Sequence, residues 1–237
     1  HLGSFLERDG ERIYNCALVI GPEGEVLARY RKLHLFDVEI PGGKKYLESA
    51  TISPGHETAG FSIGQFNVGL ATCYDLRFPE LFRRLALNGA DVILLPAAFT
   101  MQTGRDHWEV LLRARAIEDQ CFVLAAAQVG TTPGDLRWHG HAMIVDPWGR
   151  ILGEAPGPED PTPTVVVADL DLDDSFGLSA SAGVDIPFGE HWMFNAGIWY
   201  IDIDTTATVK LRDAGAKVKF DVDIDPWVYN IGIAYKF

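Results

Sequence analysis

Cys73 occupies a place where a thiol could do chemistry. It lies in NVGLATCYDLRFPEL, an apolar run that meets a sharp turn and then a helix opened by Pro79. A thiol at such an elbow is exposed, close to a helix N-terminus, and flanked by backbone N–H groups able to hold an oxyanion. The other reading of a lone cysteine is a small buried hydrophobe. Cys16 and Cys121 lie inside apolar strands without such a turn and read as structural. Lys32, in YRKLHLFD, ends a strand between apolar residues. Beside a thiol its ammonium would favour the thiolate and stabilise the oxyanion of a tetrahedral intermediate; otherwise it points to solvent. Thr100, Thr103 and His107 flank the helix entry TMQTGRDHWE, as caps or as a pocket wall that selects the acyl chain. Arg77 and Glu80 read as ion pairs bracing the elbow, and His34 as packing beside Lys32. Asp146-Pro147-Trp148-Gly149 reads as a turn without a catalytic role.

The elements that must hold these residues alternate short apolar runs with helical patterns, which argues an α/β layer structure. Strands are predicted over 13–20, 26–30, 67–72, 92–96, 122–127, 140–145 and 164–168, and helices over 79–88 and 107–120. The GPEGE turn at 21–25 predicts a hairpin. From about residue 174 the pattern changes. Cysteine disappears and 11 aromatics fall in the last 64 residues, against 15 in the first 173. In 217–225 the even positions are apolar, and after Pro226 the odd ones are. Both stretches read as strands, with a bulge or register break at the proline. The stretch 227–237 has the length of a tilted bilayer-crossing strand; a soluble two-layer sandwich fits the alternation equally well.

Composition narrows the classes. With 20 basic against 33 acidic residues the net charge is −13, a poor balance for nucleic acid or an anionic membrane surface. A 47% hydrophobic, 22% charged chain is ordinary globular composition. No apolar run reaches the roughly 18 residues of a spanning helix, and HLGSFLERDG carries no leader pattern, so a cytoplasmic placement is expected. Three scattered cysteines make neither a disulfide framework nor a CxxC zinc site.

YRKLHLFD, YLES, CYDLRFPEL and TGRDHWEVLLRARAIEDQ form an ordered set. Over residues 3–173 this set resembles the nitrilase superfamily of carbon–nitrogen hydrolases, in the branch of ω-amidase and deaminated-glutathione amidase. The resemblance implies an α-β-β-α sandwich, incomplete here, that assembles into homo-oligomers. It implies a thiol-dependent amidase acting on a small carboxylate-bearing amide through a Cys thioester, with no metal or organic cofactor. Carried over by position, Cys73 matches the nucleophile and Lys32 the oxyanion-stabilising lysine. Glu48 matches a second glutamate that orients the lysine or the substrate, and the Tyr74 N–H would complete the oxyanion hole. The family's general base is a glutamate several tens of residues before the lysine. Only 31 residues precede Lys32, so a missing base and impaired turnover are expected.

The segments DDSFGLSASAGVDIPF, NAGIWYIDIDTTATV and KFDVDIDPWVYNIGIAYKF resemble the OmpW family of small outer-membrane barrels over residues 174–237. About three strands of an eight-stranded barrel are expected, with Tyr235-Lys236-Phe237 matching an aromatic terminal signal. Lipid would be a partner only if that barrel were complete. The domains are therefore 1–173, a carbon–nitrogen hydrolase, and 174–237, an antiparallel β fragment. Two alternatives stand beside the amidase: a composite of two unrelated fragments with no joint function, and an outer-membrane channel protein.

Overall fold

In the computed structural model, residues 1–39, 45–132, 136–170, 177–188, 192–211, 216–224 and 227–235 are described. They form two units, His1–Leu170 and Asp171–Phe237. The first begins with β1 (Leu2–Asp9), β2 (Arg12–Ile20) and β3 (Val26–Arg31), an antiparallel three-stranded sheet. The predicted hairpin joins β2 to β3, with Gly24 at φ +84° inside a turn closed by Gly24 N–H donating to Gly21 O at 3.0 Å. A short hairpin of β4 (Asp37–Glu39) and β5 (Lys45–Leu47) follows.

The chain then runs through β6 (Gly60–Ile63), β7 (Phe66–Leu70), α1 (Pro79–Leu87), β8 (Val92–Leu94), α2 (Met101–Asp119) and β9 (Phe122–Ala125). After the hairpin of β10 (Val129–Thr132) and β11 (Leu136–His139) come β12 (Met143–Val145) and β13 (Ile151–Glu154). The main sheet has six strands, ordered β13-β12-β9-β8-β7-β6, with β7, β8 and β9 parallel at its centre. The helices pack on each other and on β7 and β9. One core joins Phe82, Leu85, Trp108 and Leu112 from the helices, Leu70, Ile93 and Val123 from the main sheet, and Val19 and Tyr30 from the three-stranded sheet. This arrangement of helices and two sheets around one core is the α/β layer structure expected from the sequence.

Two expectations change in this unit. Helix α2 begins at Met101, not 107, because the Thr100 hydroxyl caps it, accepting the Thr103 N–H at 3.4 Å. Gly104 obscures that first turn in the sequence; a Cβ there would lie 2.3 Å from the Cβ of His139, so the helix needs glycine where it crosses β11. Residues 164–168 form no strand, since no described strand pairs with them, and Val165 and Val167 stay exposed. The turn Asp146–Gly149 between β12 and β13 is as expected.

The second unit is a four-stranded antiparallel sheet, not three-stranded: β14 (Gly177–Phe188), β15 (Trp192–Leu211), β16 (Ala216–Ile224) and β17 (Trp227–Tyr235). Strand β15 pairs with the other three. Ile224 lies opposite Ile203 and Trp227 opposite Tyr200, so β16 and β17 pair with β15 in the same register. The bulge or register break expected at the proline falls outside the described residues. Pro226, Lys236 and Phe237 lie outside the described residues.

Candidate active site

The carboxyl ends of parallel β7, β8 and β9 converge, the usual place for a ligand site in an open α/β sheet. After β7 the backbone turns sharply into the short 3-10 turn Cys73–Arg77 and then into α1. Cys73 takes φ +51°, a left-handed conformation that a side-chain-bearing residue rarely adopts and that tertiary contacts must enforce. Its own N–H donates to Pro96 O at 2.9 Å, and its thiol lies 3.8 Å from Ala98 O. That amide is therefore not free to bind an oxyanion. The Tyr74 amide opens the turn, where N–H groups lack intrahelical acceptors.

Cys73 lines a pocket of about 580 Å³ together with Lys32, Glu48, Tyr74, Thr100 and Thr103. That volume suits a small-molecule site. Lys32 follows the end of β3 and is buried, 3% exposed. Its Nζ donates to Glu48 Oε2 at 2.6 Å, and the same oxygen accepts the Phe36 N–H at 2.6 Å. Glu48 Oε1 accepts from Asn15 Nδ2 at 3.1 Å. Burial raises the Glu48 pKa, but the hydrogen bond and charge of Lys32 outweigh it and hold the carboxyl below its ordinary value. Glu48 is therefore an ionised anchor for the lysine. Burial pushes the Cys73 thiol up, while the Lys32 charge opposes that rise.

Thr100 and Thr103 meet both readings given to them. They cap α2, with their hydroxyl oxygens 2.9 Å apart, and they line the pocket. His107 does not line it; one turn further along α2 it is exposed, with Nδ1 3.3 Å from an Arg77 guanidinium nitrogen. Arg77 corrects the ion-pair reading. It pairs with no carboxylate among the described residues, lies over the Tyr74 and Phe99 rings at 5.9 and 5.6 Å, and lines the pocket. Its position four residues after Cys73 is a signal that could have marked it. Asn15, Phe36, Tyr46 and Gln128 also line the pocket without any signal in the sequence. Cys16 and Cys121 are buried elsewhere. Among the described residues no group of three His, Cys, Asp or Glu is placed to hold a metal, and no helix is long and apolar enough to cross a membrane.

Comparison with known proteins follows this geometry. Deaminated glutathione amidase of Synechocystis sp. is 54% identical over 151 residues, 62% of this chain and 56% of that protein. Omega-amidase NIT2 of Bos taurus is 41% identical over 170 residues, 72% of this chain and 60% of that protein. The chain thus spans a little over half the length of these relatives. A mutant amidase from Nesterenkonia sp. AN1, solved with acrylamide joined to its active-site cysteine by Michael addition, superposes with a TM-score of 0.60 at 33% identity. That match covers 71% of this chain and 61% of the amidase. The OmpW family model matches residues 161–237. The carbon-nitrogen hydrolase family model matches residues 2–175, and the chain belongs to that family.

Proposed function

We propose that residues 1–173 carry the nucleophile and lysine of a thiol-dependent amidase acting on small carboxylate-bearing amides. The observation that carries this reading is a buried lysine, held by a carboxylate, in the pocket of a strained cysteine. The Cys73 thiolate attacks the amide carbonyl carbon. Lys32 and the Tyr74 N–H stabilise the oxyanion. The C–N bond then breaks, nitrogen leaves as ammonia after taking a proton, and water hydrolyses the thioester to acid and free thiol. Arg77 is the pocket cation without a carboxylate partner among the described residues, and it suits the substrate's far carboxylate. No organic cofactor takes part.

Proton transfer is the weak step. Glu48 is engaged on both oxygens, and the Cys73 sulfur meets a carbonyl rather than a carboxylate among the described residues. With no carboxylate free to act as general base among the described residues, a cost of about 10²–10⁴-fold is expected, and added formate or acetate should raise turnover. The test is ammonia release from a dicarboxylic acid monoamide, with intact-mass detection of an acyl adduct. Cys73→Ala should give neither product nor adduct; an unmodified thiol with every short amide tried would overturn the reading.

The second unit supports a separate reading. The register places Phe188, Trp192 and Tyr235 in one cross-strand row, and Ala180, Tyr200 and Trp227 in another. The alternate rows between them, such as Ile186, Phe194 and Ile233, are apolar. From Trp192 to Tyr200 the rise is about 27 Å at ~3.4 Å per residue, close to the apolar band of an outer-membrane barrel. We infer that 174–237 is barrel-derived and needs further strands to close its edges. Because the two family matches share only residues 161–175, a composite origin without joint function also fits; sequencing the parent locus across codons 165–180 decides it. Heat-modifiable migration of the purified chain would instead favour a folded barrel.

A further inference from the structure

Asp75, two residues after the candidate nucleophile, is fully buried. A carboxylate in that position is costly unless its oxygens are satisfied by donors. Here each oxygen takes two. Oδ2 accepts the Tyr30 hydroxyl at 2.7 Å and the Thr72 N–H at 2.8 Å. Oδ1 accepts the His34 N–H at 3.1 Å and lies 2.7 Å from His34 Nδ1, which carries the proton when it faces a carboxylate. The His34 ring stacks on Phe78 at 3.7 Å. The Leu33 N–H donates to the Tyr30 hydroxyl at 3.3 Å.

Lys32 stands in the middle of the segment 30–34, and both ends of that segment are tied to Asp75. On its other side Asp75 holds the elbow, accepting the Thr72 N–H next to the strained Cys73. We propose that Asp75, through Tyr30 and His34, is a positioning residue that fixes the Lys32 segment against the Cys73 elbow. This deepens the amidase reading and rests on it for the roles of Cys73 and Lys32. With four donors on two oxygens, Asp75 has no lone pair directed at the thiol and does not serve as its general base.

Two roles for Asp75 predict opposite signs. The charges acting on the Cys73 thiol are Lys32, which favours the thiolate, and Glu48 and Asp75, which disfavour it. If Asp75 were only a neighbouring charge, Asp75→Asn would move the thiol's titration to lower pH. If it positions the lysine, the same change releases Lys32 and moves the titration to higher pH.

The experiment follows iodoacetamide alkylation of each cysteine in the full chain by peptide mass spectrometry, as a function of pH. Asp75→Asn should slow Cys73 alkylation near neutral pH by about tenfold, one pH unit in thiolate fraction, with Cys16 and Cys121 still protected. Tyr30→Phe and His34→Ala keep the Asp75 charge and should shift the profile the same way, by less. His34→Gln, whose amide N–H can still donate, should recover part of the rate. A profile that stays put or moves to lower pH in folded Asp75→Asn overturns the proposal. Should Asp75→Asn expose Cys16 and Cys121 by failing to fold, unshifted profiles in Tyr30→Phe and His34→Ala overturn it instead. A wild-type Cys73 no faster than the other cysteines would sink the amidase reading itself, a result distinct from either.

Discussion

The elbow after β7 and the chain reversal after α2 each present a cysteine, and they are built to opposite ends. Cys121 is buried with its thiol 2.9 Å from Ala90 O and 3.1 Å from Asp119 O. Burial first, then Asp119 and Asp91, push it up to about 12. Cys16, inside β2, is pushed up to about 11, by burial first and then by Glu7. Cys73 is also raised by burial, but the next influence on it is the opposing charge of Lys32. It alone of the three sits at a positive φ in the pocket. Burial thus makes a cysteine inert, and a buried cation beside a strained turn is what separates a nucleophile from its packing relatives.

The sharpest way to break that contrast is to label all three thiols in the native protein. Cys73 should react with iodoacetamide at least about tenfold faster than Cys16 or Cys121, since free thiolate and access set the rate. Comparable rates would erase the distinction. Next in size is removal of the cation. Lys32→Met leaves Glu48 half-buried with a charge and no counter-ion, a loss of about 3 kcal/mol by analogy with broken buried pairs, somewhat reduced by the solvent reaching Glu48 and by the donors Phe36 and Asn15. Urea unfolding should show that loss, and the double variant Lys32→Met with Glu48→Gln should recover much of it. Thiol reactivity should stay low in both. A double variant no more stable than the single one would show that the pair is not coupled.

The anchoring glutamate also carries a pH signature. The folded Glu48 pKa lies below its ordinary value. Its contribution is therefore present above the unfolded glutamate pKa of about 4.3 and is lost as pH falls through the lowered folded value. Urea midpoints measured downward from about pH 6 should fall less steeply in Glu48→Gln than in the parent chain. Parallel curves would mean that Lys32 is held by something other than this carboxylate.

Much of the site was legible because its chemistry is local. Cys73, Tyr74 and Arg77 share one turn, and the strand–turn–helix pattern around them is written in NVGLATCYDLRFPEL. Lys32 and Glu48 came from motif resemblance, since the contact joining them spans elements whose proximity no spacing rule gives. Arg77 was misjudged because Glu80 is its obvious partner on a helix, whereas the fold turns the guanidinium over Tyr74 and Phe99. Asp75 was invisible for a related reason: its partners Tyr30 and His34 lie more than 40 positions earlier in the chain. In the second unit the alternation gave the strands, but the common register of β16 and β17 depends on pairing with β15.

The smallest effect should come from the other chain reversal. Asp119 is the last residue of α2, and its buried carboxylate sits at the negative end of the helix dipole. Arg83 approaches it at 3.2 Å but is itself mostly exposed, and neither carboxylate oxygen has a hydrogen bond among the described residues. Burial raises the Asp119 pKa, and Glu118 adds to that, against the lowering by Arg83 and Arg115. A raised carboxyl pKa in the fold means the folded state holds the proton more tightly than the unfolded one. Its stability contribution therefore falls as pH rises from the unfolded value through the folded one. Asp119→Asn keeps the shape and removes the charge. It should leave stability at neutral pH unchanged or raise it by less than about 1 kcal/mol, with the gain shrinking in acid. It should leave Cys73 alkylation untouched. A clear loss of stability at neutral pH would mean that the Arg83 pair outweighs burial, and that this reversal, like the elbow, is held by charge.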